Sequence, residues 1–115
     1  MDLALKLQLP PGVPIFLVGA PKGFGQGLTV AKRSGDGAVL VFAANSQRLK
    51  EDSRPAIDAA KADRLSWIAY PKAGRLGTDL NRDRLQELVA PLGIQGVRLV
   101  SIDDVWSAMR FRPKK

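Results

Sequence analysis

The sequence contains no cysteine and no histidine. Without cysteine there are no disulfides and no thiolate metal sites. Without histidine there is no Ser-His-Asp or Cys-His machinery, no imidazole zinc site and no use of the commonest general base. Aromatic residues are scarce: two Trp, one Tyr and four Phe. Most of them fall in segments that read as core strands, which leaves few for stacking on bases. The longest wholly apolar run, Ala38 to Ala44, is far too short to span a bilayer. Met1-Asp2-Leu3 lacks the basic region and long apolar core of a secretory signal. The expectation is a cytoplasmic protein with no membrane partner.

What is present is ordinary globular material. The chain has 115 residues, of which 45% are apolar and 25% charged. That length predicts one domain, spanning residues 1–115, with enough buried surface for a core that needs no staples. Eighteen Lys and Arg against eleven Asp and Glu give a net charge of +7. Such a balance favours acidic partners such as phosphates or nucleic acid, and it also keeps copies of the chain apart by repulsion.

Leu3, Leu5, Leu7 and Leu9 alternate, as in an extended segment, but they also pair at spacing four, as in a short helix. Pro10-Pro11-Gly12 stops either. Ile15 to Val18 reads as a strand buried on both faces. A loop follows, Pro21-Lys22-Gly23-Phe24-Gly25-Gln26-Gly27, and then Leu28 to Lys32, which fits a strand or a helical turn equally. Ser34-Gly35-Asp36-Gly37 is a turn. Ala38 to Ala44 is a second buried strand. Asn45 or Ser46 caps a helical stretch reaching about Ala62, interrupted at Pro55, with Ser53 capping its second part. Leu49, Ala56, Ile57 and Ala60 form its apolar face. Leu65 to Tyr70 is the third buried strand.

The next helix carries the clearest pattern. Leu85, Leu88, Val89 and Leu92 follow the i, i+3, i+4, i+7 rule, with Asn81 as N-cap and Leu80 stapled to Leu85. Pro91 and Gly93 end it. Val97 to Ile102 and Val105 to Arg112 are two more strands. The short Asp103-Asp104 link makes them an antiparallel hairpin. The order predicts an α/β protein: an open, Rossmann-like mixed sheet of about five strands, parallel at its centre, with a C-terminal antiparallel hairpin. The element order resembles the C-terminal half of a methyltransferase-type sheet, and a fold does not carry a function.

Four places hold candidate chemistry. Gly23, Gly25 and Gly27 follow the first strand, where doubly wound sheets bind phosphate. The dinucleotide fingerprint is not met. Leu28 stands where its third glycine belongs, and Phe42-Ala43-Ala44-Asn45 holds no acid for a ribose. Lys22 precedes the glycines, so this is no P-loop. The second place is the segment from Tyr70 to Arg84, at the carboxyl end of a strand. Arg82 and Arg84 lie in a first helical turn, where positive charge is locally unfavourable, and Lys72 and Arg75 add charge upstream. Against a ligand stands ordinary surface pairing of Asp79 with Arg82 and of Arg84 with Glu87.

Asp103-Asp104 has the composition of a turn more than of a cation site. Arg110, Arg112, Lys114 and Lys115 have two uses: to hold single-stranded nucleic acid, or to keep an edge strand from pairing with other chains. Edge protection is the expected one.

Trp67-Ile68-Ala69-Tyr70-Pro71-Lys72, Thr78-Asp79-Leu80-Asn81-Arg82-Asp83 and Ile102-Asp103-Asp104-Val105-Trp106-Ser107-Ala108-Met109-Arg110-Phe111 together resemble a bacterial family of small α/β domains of unknown function. The likeness covers about residues 65–112, and Pro14 to Phe24 is also similar. Between Gly25 and Ala38 this chain is shorter than the family pattern, which leaves little room for a first crossover. The resemblance implies the fold and a bacterial, single-domain protein, and implies no activity, cofactor or catalytic residue.

The function expected from these residues is non-enzymatic binding of an anionic, phosphate-bearing small molecule. Lys72, Arg75, Arg82 and Arg84 are its cations, with Lys22 and the glycine loop opposite. Two other readings remain: a reduced Rossmann-type enzyme using Tyr70, Lys72, Asp79 or Asp103 as acid or base, and a weak nucleic-acid binder. No metal site and no particular cofactor is indicated.

Overall fold

A computed structural model describes residues 3–25, 27–33, 35 and 37–114. Of the positions named above, Met1, Asp2, Gln26, Ser34, Asp36 and Lys115 lie outside the described residues, and with them two residues of the turn at 34–37.

The chain runs through α1 (Leu3–Lys6), β1 (Ile15–Val18), β2 (Val30–Ala31), β3 (Ala38–Phe42), α2 (Ser46–Asp52), α3 (Arg54–Lys61) and β4 (Ser66–Pro71). It continues through α4 (Arg82–Val89), β5 (Ile94–Ser101) and β6 (Trp106–Pro113), with 3-10 turns at Arg75–Gly77 and Ala90–Leu92. The strands form one six-stranded open sheet in the order β2-β1-β3-β4-β6-β5. The first four are parallel, and β6 runs antiparallel to both β4 and β5. The α/β reading with a parallel centre and antiparallel C-terminal strands therefore holds.

Alternation along β3 and β4 divides the core. Val39, Val41, Ile68 and Tyr70 point to one face, where Ala56, Ala59 and Ala60 of α3 and Leu85 and Val89 of α4 cover them. The small side chains of α3 let it lie close on the sheet, and the buried Ser66 hydroxyl donates to the Ala56 carbonyl at 2.7 Å. Leu40, Phe42, Trp67, Ala69, Trp106 and Ala108 point to the other face. Among the described residues that face has only α1 and loops as its cover. Leu7 is fully buried there, and its carbonyl accepts the Trp67 indole N–H at 3.0 Å. The glycine-loop residue Phe24 stands edge-on to Phe42, with centroids 4.8 Å apart, and Phe42 edge-on to Trp106 at 5.0 Å.

Several expectations need correction. The sheet has a sixth strand, because Val30 and Ala31 pair with Ile15 and Phe16. Of the two readings of the leucines at 3–9 the short helix holds, since they begin in a single helical turn. The stretch from Asn45 to Ala62 is two helices with Pro55 in the first turn of the second, as expected, but Ser53 at its N-cap makes no side-chain capping bond. Leu92 falls in a 3-10 turn and is 43% exposed, because the helix stops three residues earlier. β5 begins at Ile94 and not Val97: Gln95 and Gly96 pair with Arg112 and Phe111 before a register shift. β6 begins at Trp106 and not Val105, because Asp103 closes the turn on the amides of Val105 and Trp106. Finally, β6 is not an edge strand. It lies between β4 and β5, so Arg110 and Arg112 do not guard an edge, and β5 is the open one.

Among the described residues no helix is long and apolar enough to cross a membrane. The Cα radius of gyration is 12.8 Å, close to the roughly 13 Å of a compact chain of about 100 residues.

Candidate functional site

The chain leaves β1 toward β2 on one side, then returns to lay β3 on the other side of β1. Connections therefore diverge between the carboxyl ends of β1 and β3, the place where open α/β sheets leave a crevice. A cleft of about 600 Å³ opens there, inside the range of roughly 300–1,000 Å³ usual for small-molecule sites.

Each wall comes from a nearby element. Gly19 and Pro21 follow β1, and Phe42 and Ala44 close β3. Gly19 takes a φ of +68°, and a Cβ there would stand 3.0 Å from the Phe42 carbonyl oxygen, so the close approach of loop to strand depends on glycine. Arg48 and Asp52 enter from α2, which Asn45 caps by accepting from the Arg48 amide at 2.9 Å. Leu76 arrives on the turn after β4, and Val105 and Trp106 on the turn between β5 and β6. Leu76 holds a φ of +56° and is 66% exposed. A branched side chain in left-handed backbone costs about 1–2 kcal/mol, and such strain clusters at functional sites. The lining is mostly apolar, with Arg48 as its cation. The Arg48 guanidinium stands 4.0 Å from both Glu51 and Asp52.

None of the five expected cations lines this cleft. Lys22 lines a smaller depression beside it, with Phe24 and Asp103, and the two share Pro21, Val105 and Trp106. Lys22 follows the lining Pro21, and Arg75 precedes the lining Leu76; neither has a carboxylate partner among the described residues. The Lys72 amide donates to the carbonyl of the lining Val105 at 2.7 Å, and its Nζ donates to the Ser101 hydroxyl at 2.6 Å. These three stand at the margin. Arg82 and Arg84 do not. Arg82 pairs with Asp83 at 3.3 Å and lines a separate depression with Arg98 and Leu99. Arg84 pairs with Glu87 at 3.5 Å, as the spacing predicts.

The other expected pair, Asp79 with Arg82, does not form. The Asp79 carboxylate accepts from both the amide, at 2.8 Å, and the hydroxyl of Ser46 at the start of α2. The Ser46 hydroxyl, helped by its amide, holds the Asp79 carboxyl below the ordinary carboxylate range. An internal anion thus occupies the positive end of α2 and ties the turn carrying Leu76 to the helix carrying Arg48. Asp103 spends its carboxylate on two turn amides at 2.8 Å. Burial pushes the Tyr70 phenol above its usual value, so it is protonated at neutral pH. Of the four acid/base candidates, Tyr70, Lys72, Asp79 and Asp103, none lines the cleft.

Sequence reasoning missed Gly19, Pro21, Arg48, Asp52 and Leu76. The one available signal was Gly19-Ala20-Pro21 directly after a buried strand. Its importance depends on which strand lies beside β1, and local patterning does not carry strand order.

Fold and crevice together define the class: an open-sheet α/β domain with a largely apolar switch-point cleft bordered by basic residues. Comparison with protein-family models, curated proteins and solved structures found no match for this chain.

Proposed function

We propose that this protein is a binding domain for a small anionic molecule with a flat apolar part, such as a nucleotide, held in the cleft between β1 and β3. The observation that supports it is the position of that cleft at the carboxyl edge of the parallel strands, with Phe42 and Trp106 in its lining. An apolar ring lies against Phe42, Trp106 and Leu76. The phosphate or carboxylate is met by Arg48 and by the marginal cations Lys22, Lys72 and Arg75. Arg82 and Arg84 are outside this reading, each facing its own acid. A catalytic role has less support, because Arg48 and Asp52 are the titratable groups of the lining and they face each other. The resemblance of residues 65–112 to a bacterial family of unknown function adds no activity.

Thermal unfolding with adenosine monophosphate, adenosine and inorganic phosphate tests it. At a hundredfold excess over its dissociation constant, the nucleotide stabilises the fold by about 2.7 kcal/mol. That is a rise of roughly 10 °C for a chain of this size. Arg48→Ala and Arg75→Ala weaken the shift, and Arg82→Ala leaves it intact. The proposal fails if no anion moves the melting temperature. A preference for oligonucleotides that collapses as salt rises points instead to counterion-driven nucleic-acid binding.

A further inference from the structure

β5 presents an open edge. It pairs with β6 on one side and with no strand on the other among the described residues. Edge strands of this length invite pairing with another chain unless they are blunted. Here the blunting is partial. A register shift falls between Gly96 and Arg98, and Lys6 Nζ caps the far end by donating to the Ser101 carbonyl at 2.7 Å. Val97, at the shift, and Leu99, beyond it, stay 48% and 46% exposed. With Arg98 they line a depression of about 210 Å³ against Arg82 and Gln86 of α4.

Arg98 is the one charged residue of β5, and the Asp63 carboxylate, which shares a depression with Gln95 and Val97, is already held by Arg112 at 3.0 Å. Arg98 lies directly opposite Arg110 across the ladder, an arrangement that destabilises a sheet. Arg110 donates to the Gln8 side-chain oxygen at 2.8 Å and lies near enough to the Asp63 carboxylate to stabilise its charge, while its buried Nε has no hydrogen-bond partner among the described residues. Arg98 has no carboxylate partner among the described residues.

We infer that β5 is a docking edge for an extended peptide segment of alternating acidic and apolar residues, which adds to the sheet as a seventh strand. Backbone groups of the segment continue the ladder. Its acids lie beside Arg98 and relieve the Arg98–Arg110 opposition. Its apolar residues, on the other face, cover Leu99, whose ladder partner Met109 faces α4, and reach the depression there. Charge selects this occupant over a second copy of the chain, because two chains of net charge +7 would bring Arg98 toward Arg98. It is also selected over a nucleic-acid strand, which offers no β-ladder partner for the open backbone.

The test is fluorescence anisotropy of the full chain with a labelled, capped Glu-Val-Glu-Val-Glu-Val peptide. The expected result is saturable binding that weakens at least tenfold with Arg98→Glu and also weakens with the milder Arg98→Gln. Binding is lost when alternate peptide nitrogens on the edge facing β5 are methylated, and kept when the other set is methylated. The Lys-Val counterpart does not bind. Three results overturn the inference: no binding of the acidic peptide up to about 1 mM, binding indifferent to both Arg98 variants or to methylation, or displacement of the peptide by oligothymidylate at equal charge. Concentration-dependent dimerisation in sedimentation, abolished by Arg98→Glu, also overturns it in favour of a second copy.

Discussion

Asp79 shows how a single side chain organises the cleft without entering it. Its carboxylate joins the approach to α4 to the first residue of α2. The fold thereby supplies its own anion where a ligand would otherwise be attracted. Because the folded group titrates below its ordinary value, its contribution to stability is complete above the unfolded carboxyl pKa of about 3.9. That contribution is lost as pH falls through the lower folded value. Asp79→Asn is therefore expected to lower the melting temperature at pH 7, with the gap to the wild-type chain closing below about pH 4. Paired melting curves between pH 3 and pH 7 check this; a gap constant with pH would show that the carboxylate's charge does not matter. The sequence marked Asn81 as the N-cap of the next helix and offered Asp79 a local partner in Arg82. The partner Asp79 takes, Ser46, was not legible there, because the bond spans 33 residues and no local pattern reports such a distance.

Among the elements, those set by local rules were legible and those set by neighbours were not. α4 follows its i, i+3, i+4 stripe, and Asn81 caps it by accepting from the Arg84 amide at 2.8 Å. Leu80 and Leu85 are both buried in one cluster, as the staple requires. Half-buried β1 and buried β3 and β4 announced themselves as largely apolar runs, since helices or loops cover both faces of the sheet. The two-residue β2 exists only because β1 offers it an edge. The first residues of β5, Gln95 and Gly96, likewise lack strand character and gain it by pairing with β6. Ser53 is the instructive failure: the residue type fits a cap, yet its hydroxyl makes no capping bond. Asn81→Ala should accordingly cost about 1 kcal/mol, and Ser53→Ala less. Urea unfolding of both variants, at unchanged denaturant slope, separates these outcomes; equal losses would contradict the assigned caps.

For the whole molecule, strand order decides where function lies. Sequence patterning identified the parallel centre and the hairpin. It did not reveal that β2 and β3 flank β1, nor that β6 enters between β4 and β5. The first of these insertions creates the crevice. The second puts Arg110 and Arg112 on an interior strand, where Arg112 pairs with Asp63, and exposes β5. The cations nearest in sequence to a helix start, Arg82 and Arg84, consequently stand apart from the cleft, and Arg48, on a helix chosen for its apolar face, stands within it. Amide spectra of the isotope-labelled chain, titrated with adenosine monophosphate, test this placement most directly. The account predicts saturable shifts at Gly19, Phe42, Ala44, Arg48, Leu76 and Trp106, with Arg84 and Glu87 unmoved. Shifts centred on Arg82 and Arg84, or none at millimolar nucleotide, would contradict it.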